Sequence, residues 1–282
     1  MSTSFNREFL SLIIYFLPIL IAVLLGLLFI LTKRVRLALL IFVVGAGVQY
    51  AKGVAFFQKT SEVQAGIKII THSLMSSNTN QNLTISNLIA KKPDVLALQE
   101  VSDLGETLKI LKANGYQVAY KESKHTVLAT HKKIESFHFE GNILVASVKF
   151  NNHYMRFWVL HAPKFTLNID LHNTFFSGLY NSLSKINFSN DDYIDIVLGD
   201  FNSLSTGYWR VKLQSLGFTG ALSDLGSGLL NTFPAEGRIA YFPALISIDE
   251  IYIEGNPKGL GSVAKSSLGS DHYPVMFVGD IN

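Results

Sequence analysis

Cysteine is absent from all 282 residues. That absence excludes disulfides, zinc–thiolate centres and thiol nucleophiles, and it leaves the compartment open. Charge is scarce too: Asp, Glu, Lys and Arg together make up 16%, against about 25% in an ordinary soluble domain. The chain is therefore not wholly soluble in character, and it lacks the charge or the bias that disorder, collagen or coiled coil would need. Acidic residues are nearly missing from the first 65 positions, where only Glu8 and Glu62 face six Lys and Arg. That stretch carries a net +4 and residues 66–282 a net −1. The pI near 8.9 thus belongs to the beginning of the chain, and the basic balance that would suggest nucleic-acid binding is missing from the rest.

What the first 65 residues do contain is apolar length. Phe9 to Leu31 carries no charge over 23 residues and is interrupted only by Ser11, Pro18 and Gly26. At 1.5 Å per residue such a helix crosses roughly 30 Å of hydrocarbon. A signal peptide would have a shorter apolar region and a small-residue cleavage site, and none is evident. A second run, Leu37 to Ala51, continues past Lys52 to Phe57. Between the runs stand Lys33, Arg34 and Arg36. The expectation is a membrane anchor over residues 1–65 with two spans, about 9–31 and 35–57. The excess of cations between them puts the connection in the cytoplasm and both ends outside. The alternative is one span plus an interfacial helix, which would leave the large domain in the cytoplasm. The first arrangement places the chain in a bacterial inner membrane, with its partner the lipid bilayer and its main domain outside the cytoplasm.

From Gly66 onward the pattern changes to short strands, helices and turns, enough chain for one sizeable core. Strands are expected at Ile67–Thr71, Val95–Gln99, Gln117–Tyr120, Val127–Thr130, Ile143–Phe150, Tyr154–Leu160, Ile194–Leu198, Ser247–Ile253 and Pro274–Val278, on β-branched and apolar content. Helices are expected at Leu83–Lys91, Asp103–Ala113, Ile169–Leu183 and Leu204–Leu216, on caps and stops. Asn151-Asn152 reads as a hairpin turn. Many strands with few helices imply two packed sheets with outer helical layers.

Polar residues capable of chemistry stand at the ends of the apolar strands, where open sheets present functional groups. Glu100 ends one and His161 another; singly, such an acid is usually a solvated or capping carboxylate and such a histidine structural. Gly199-Asp200-Phe201-Asn202 is either a turn or a device that holds a carboxylate beside an amide. Asp249 and Glu250 interrupt an apolar strand, so one of them must point inward or lie next to a ligand. Asp271-His272 pairs a metal-competent acid with a titratable ring.

Taken in order, "DVLALQEV", a strand ending in His161, "LGDFN", "SIDEI" and "GSDHYPV" resemble the endonuclease/exonuclease/phosphatase superfamily over essentially all of residues 66–282. "NTFPA", Asn231 to Ala235, looks like that family's Thr-Trp-Pro segment. The resemblance implies an α/β (α+β) four-layer sandwich, two mixed β-sheets flanked by helices. It implies Mg²⁺-dependent hydrolysis of a phosphodiester or phosphomonoester, with Mn²⁺ the alternative ion. By resemblance Glu100 is the principal metal ligand and Asp271 lies near the metal. Asp200 prepares the water, and Asn202 donates to a phosphate oxygen. His161 contacts the phosphate, and His272 acts as base or charged donor, held by Asp249. One departure stands out: the family's first strand ends in Asn, and here Ser73 takes that place, with Asn78 available from the following loop. A nuclease of the same fold and a catalytically degenerate binding module are the alternatives. Lys91-Lys92 and Lys132-Lys133 are the local cations a nuclease would use, although such pairs are usually solvated surface.

Overall fold

A computed structural model describes residues 2–32, 35–51, 54–55, 66–150, 153–186, 192–235, 244–264, 266–267 and 269–281. The chain opens with two helices, α1 (Ser2–Leu31) and α2 (Val35–Ala51), and a short strand β1 (Val54–Ala55). The remainder runs β2 (Ile67–Ser73), α3 (Gln81–Ile89), β3 (Val95–Gln99), α4 (Leu104–Ala113), β4 (Gln117–Tyr120), β5 (Val127–Thr130), β6 (Ile134–Glu140), β7 (Ile143–Phe150) and β8 (His153–His161). It continues with α5 (Ile169–Leu183), β9 (Tyr193–Asp200), α6 (Tyr208–Ser215), β10 (Phe218–Gly220), β11 (Gly228–Leu229), β12 (Asp249–Glu254), β13 (Lys258–Val263) and β14 (Val275–Asp280).

The long strands form two mixed six-stranded sheets, β13-β14-β2-β3-β5-β4 and β10-β12-β9-β8-β7-β6. Two-residue alternation on each strand decides what lies between them. Ile69, Val95, Ala97 and Leu128 of the first sheet meet Leu144, Phe157, Val159, Ile196 and Ile251 of the second in the central core. The opposite faces carry their own cores. Ile70, Leu96 and Leu98 pack with Ile85, Leu88 and Leu111 of α3 and α4. Trp158, Val197 and Tyr252 pack with Phe176, Leu179, Trp209 and Leu213 of α5 and α6. The result is the four-layer α/β sandwich with two mixed sheets that the sequence implied. Truncating a side chain as buried as Phe157 to alanine would cost about 3–5 kcal/mol.

α1 contains an apolar stretch, Leu10–Leu31, of which only 17% is buried in its most apolar window. It is thus no core helix; Leu20, Leu24, Leu28 and Leu31 face outward. α1 and α2 pack side by side through small residues. A Cβ on Gly45 would meet Ala22 at 2.3 Å, and one on Gly26 would meet Phe42 at 2.5 Å, the close approach that small residues permit between apolar helices. α2 ends at Ala51, short of the 57 expected for the second span. Val54–Ala55 instead pairs with Gly228–Leu229, and residues 52–53 and 56–57 of the expected span lie outside the described residues. The Asn151-Asn152 turn and the cations Lys33 and Arg34 lie outside the described residues.

Candidate functional site

Three neighbouring strands deliver three polar side chains to one place. In the register of the second sheet, His161 at the end of β8 and Asp249 at the start of β12 both pair with Asp200, the last residue of β9. β8 and β9 run parallel, so both present their carboxyl ends. Gly199 makes that pairing sterically possible. It sits at φ +136°, and a Cβ there would come 2.0 Å from the Leu160 carbonyl oxygen. Glu100 and Asn202 are held at φ +55° and +45°, strained for residues with side chains and typical of functional clusters.

The contacts are close. His161 Nε2 lies 3.3 Å from Glu100 Oε1 and 3.8 Å from Asp200 Oδ2. His272 Nδ1 lies 2.8 Å from Asp249 Oδ2, while its Nε2 faces Asp200 Oδ2 at 3.8 Å and Asp271 Oδ1 at 3.9 Å. The Ser76 N–H donates to Glu100 Oε2 at 2.9 Å. Asp200, Asp249 and His272 are buried, whereas the His161 and Glu100 side chains keep 32% and 19% of their surface. The site therefore opens at Glu100 and His161.

Electrostatics follow from this packing. The hydrogen bond from His161 holds the Glu100 carboxyl down at about 2, against its partial burial. Burial lowers His161, but Glu100 and Asp200 outweigh it and leave the imidazole raised. Burial pushes Asp200 up to about 6, against the pull of His272 and with the help of Asp249. His272 is desolvated, yet Asp249 and Asp200 raise it to about 10. Both carboxylates thus favour the charged form of this ring.

Glu100, His161, Asp200, Asn202, Asp249, Asp271 and His272 lie in this one cluster, with two particulars beyond the expectation. The Asn202 amide already donates to the Ala162 carbonyl at 2.8 Å and to Asp200 Oδ2 at 3.1 Å, and its backbone N–H donates to Asp200 Oδ1. It positions Asp200. Asp249 and Glu250 are both buried, on opposite faces of β12: Asp249 serves His272, and Glu250 accepts from the fully buried Arg210 at 2.9 Å. Arg210 also donates to the Ser203 and Ser247 carbonyls, which fixes both loops that flank the site. Ser73 is fully buried and its hydroxyl has no hydrogen-bond partner. Asn78 Oδ1 accepts from the Asn80 N–H.

The sequence reading missed several supporting residues. Ser270 donates to the Ser73 carbonyl at 2.6 Å and accepts from the His272 N–H. Thr232 accepts from the Asp249 N–H, and the Phe233 ring lies 5.1 Å from that of His272. Gln81 donates to the Glu100 carbonyl. Ser270 and Thr232 sit inside the legible "GSDHYPV" and "NTFPA" segments without a signal of their supporting roles, and a Gln at a helix start carries no signal at all.

Glu100, His161 and Asp200 bring ligand atoms within 4.8 Å of one another, as do Asp200, Asp249 and His272. Carboxylate oxygens from Glu100 and Asp200 are hard donors that suit Mg²⁺, and the orphaned Ser73 hydroxyl adds a buried oxygen on the strand beside β3.

No protein-family model matches the sequence, and no curated protein does. Solved structures do match. An endonuclease/exonuclease/phosphatase family protein from Leptotrichia buccalis aligns at 15% identity and TM-score 0.60, over 76% of this chain and 99% of its own. The 3′-5′ exonuclease NExo from Neisseria meningitidis aligns at 18% and 0.61, over 76% and 100%. An AP endonuclease from Archaeoglobus fulgidus aligns at 18% and 0.59, over 76% and 100%. With its two mixed sheets, outer helices and these neighbours, the chain has the endonuclease/exonuclease/phosphatase fold.

Proposed function

We propose that this protein is a membrane-anchored, Mg²⁺-dependent phosphoesterase. The observation that carries the reading is the placing of Asp200 Oδ2 at 3.8 Å from both His161 Nε2 and His272 Nε2, with Glu100 on the open side. Glu100 would hold the ion, with Asp271 close by. A bound divalent cation supplies charge against the phosphate and polarises it toward attack. Asp200, lifted by burial, takes the proton of the attacking water at Oδ2. As the new oxygen–phosphorus bond forms and the ester bond breaks, the His272 imidazolium, locked in place by Asp249 at Nδ1, hydrogen-bonds from Nε2 to the phosphate's developing negative charge, and the leaving oxygen takes its proton from solvent water. His161 donates to a phosphate oxygen at the mouth.

Support for the anchor comes from the outward-facing apolar surface of α1 and α2 and from the cations between them. With α1 and α2 both spanning, the positive-inside rule sets the fold outside the cytoplasm, on the bacterial inner membrane. The donor set suits Mg²⁺, with Mn²⁺ the alternative. A second reading, a nuclease, is favoured by the nuclease neighbours, but the net −1 of residues 66–282 offers little backbone attraction for DNA. The experiment is hydrolysis by the full chain of bis-p-nitrophenyl phosphate, sphingomyelin, phosphatidylinositol phosphates and plasmid DNA, with Mg²⁺ and with EDTA. Mg²⁺-dependent cleavage of esters other than DNA is expected. Cleavage of DNA alone would favour the nuclease, and cleavage of nothing would favour a degenerate binding module.

A further inference from the structure

The apolar run of α1 does not begin beyond the folded domain; it begins against it. Ser11 donates to the Thr206 carbonyl at 3.1 Å and Tyr15 to the Leu245 carbonyl at 2.9 Å, although both lie inside the Leu10–Leu31 stretch. Residues 16–31 alone rise about 24 Å at 1.5 Å each, short of the roughly 30 Å of hydrocarbon. Crossing the bilayer therefore uses the turns that touch the domain. Thr206 and Leu245 are thereby drawn to headgroup level, the depth at which tyrosine hydroxyls also settle.

That part of the domain connects to the site through the chain. Leu245 precedes Ile246, which bridges to Phe233, the ring beside His272. Thr206 precedes the start of α6, and Trp209 donates to Asn173 at 2.9 Å, setting the first turns of α6 and α5 side by side. At the start of α5 two leucines point into solvent, Leu167 at 82% exposure and Leu171 at 53%. They are held out by built structure. The Leu167 and Asn168 N–H groups close a turn on the Lys164 carbonyl, Asn168 caps α5 through the Leu171 N–H, and His172 bonds the Pro163 carbonyl at 2.7 Å. This turn begins three residues after His161, at the mouth.

We propose that the Lys164–Leu171 turn seats in the headgroup layer beside α1, so that the Glu100–His161 mouth receives phosphoesters carried by the bilayer itself. The inference rests on the membrane-anchored phosphoesterase reading and names its substrate class. Two leucines buried at the interface add apolar contact, while Lys164 and Asp170 leave the turn without net charge.

The absence of cysteine makes the test clean, because one introduced cysteine takes a label alone. Leu167→Cys and, as reference, Leu83→Cys on α3 (57% exposed, over the other sheet) are labelled with an environment-sensitive fluorophore. The full chain is reconstituted into phosphatidylcholine–phosphatidylglycerol vesicles with brominated acyl chains. The proposal expects blue-shifted, bromine-quenched emission at 167 and neither at 83. Equal emission at the two positions, with or without self-association of the chain, overturns it. In parallel, Leu167→Ser/Leu171→Ser should hydrolyse soluble bis-p-nitrophenyl phosphate within about twofold of wild type. Its release of phosphate or headgroup from the same vesicles should fall at least tenfold. Wild type that cleaves the soluble ester but no vesicle lipid refutes the bilayer substrate and leaves the phosphoesterase standing. Wild type inert toward the soluble ester refutes the phosphoesterase itself, while the quenching result still decides the surface contact.

Discussion

The imidazole of His272 is gripped at Nδ1 by Asp249 Oδ2, 2.8 Å away across 23 positions of sequence. Its other nitrogen faces Asp200 at 3.8 Å. In the proposed mechanism Asp200 and His272 act around one phosphate as one unit, and residues that act together show non-additive losses. Asp200→Asn and His272→Ala should each cost on the order of 10²–10⁴ in rate. The double variant should lose far less than the product of the two. A fully multiplicative loss in steady-state kinetics would mean that the two act separately.

The buried, unpartnered hydroxyl of Ser73 stands where the resembled family has an asparagine. If it leaves the metal site loosely organised, Ser73→Asn should lower the Mg²⁺ concentration for half-maximal rate. An unchanged value would mean that another group, with Asn78 the first to examine, has taken over the position.

Arg210 and Glu250 are both fully buried at 2.9 Å. Arg210→Met strands a buried carboxylate and should destabilise the chain by about 3–5 kcal/mol. Arg210→Met with Glu250→Gln removes the stranded charge and should recover part of that loss. Denaturant unfolding of the two variants makes the comparison; equal stability of both would contradict it.

His72 is buried, and the Ser267 backbone is the hydrogen-bond partner that favours its charged form. Burial, with His272 adding to it, lowers its pKa to about 3. The unfolded chain binds a proton there near 6.5 and the folded chain does not. Stability is therefore complete above pH 6.5 and falls as pH drops toward 3, by up to about 1.4 kcal/mol per pH unit. His72→Phe should flatten this acid loss, as read from the unfolding midpoint between pH 7 and pH 4. A variant with the wild-type slope would show that other groups govern it.

Much of this molecule was legible before its structure. The Val95–Gln99 and Ile169–Leu183 elements fall where expected because each is bounded by strong local signals, a Pro-Asp break for one and an Asn168 cap for the other. The clustering of Glu100, His161, Asp200, Asp249 and His272 was legible only through the order of motifs, since no local pattern brings β8, β9 and β12 together. The exposed β6, with a pattern of few buried residues, gave no alternation to read. β13 is rich in glycine and was missed for the same reason. The Arg210–Glu250 pair was hidden because a charged residue on an amphipathic helix ordinarily faces solvent. The second apolar helix was overextended because Phe56-Phe57 continues the hydrophobic run in composition, while the helix itself ends at Ala51.

Glu100→Gln is the most direct test of the central claim. The substitution preserves shape, and its amide can still accept from the Ser76 N–H, but it removes the charge that would bind Mg²⁺. The Mg²⁺-dependent rate on bis-p-nitrophenyl phosphate should fall by orders of magnitude, on the order of 10³ or more, while the unfolding midpoint stays near that of wild type. A folded Glu100→Gln protein that turns over the ester as fast as wild type, with the same Mg²⁺ dependence, would contradict the account.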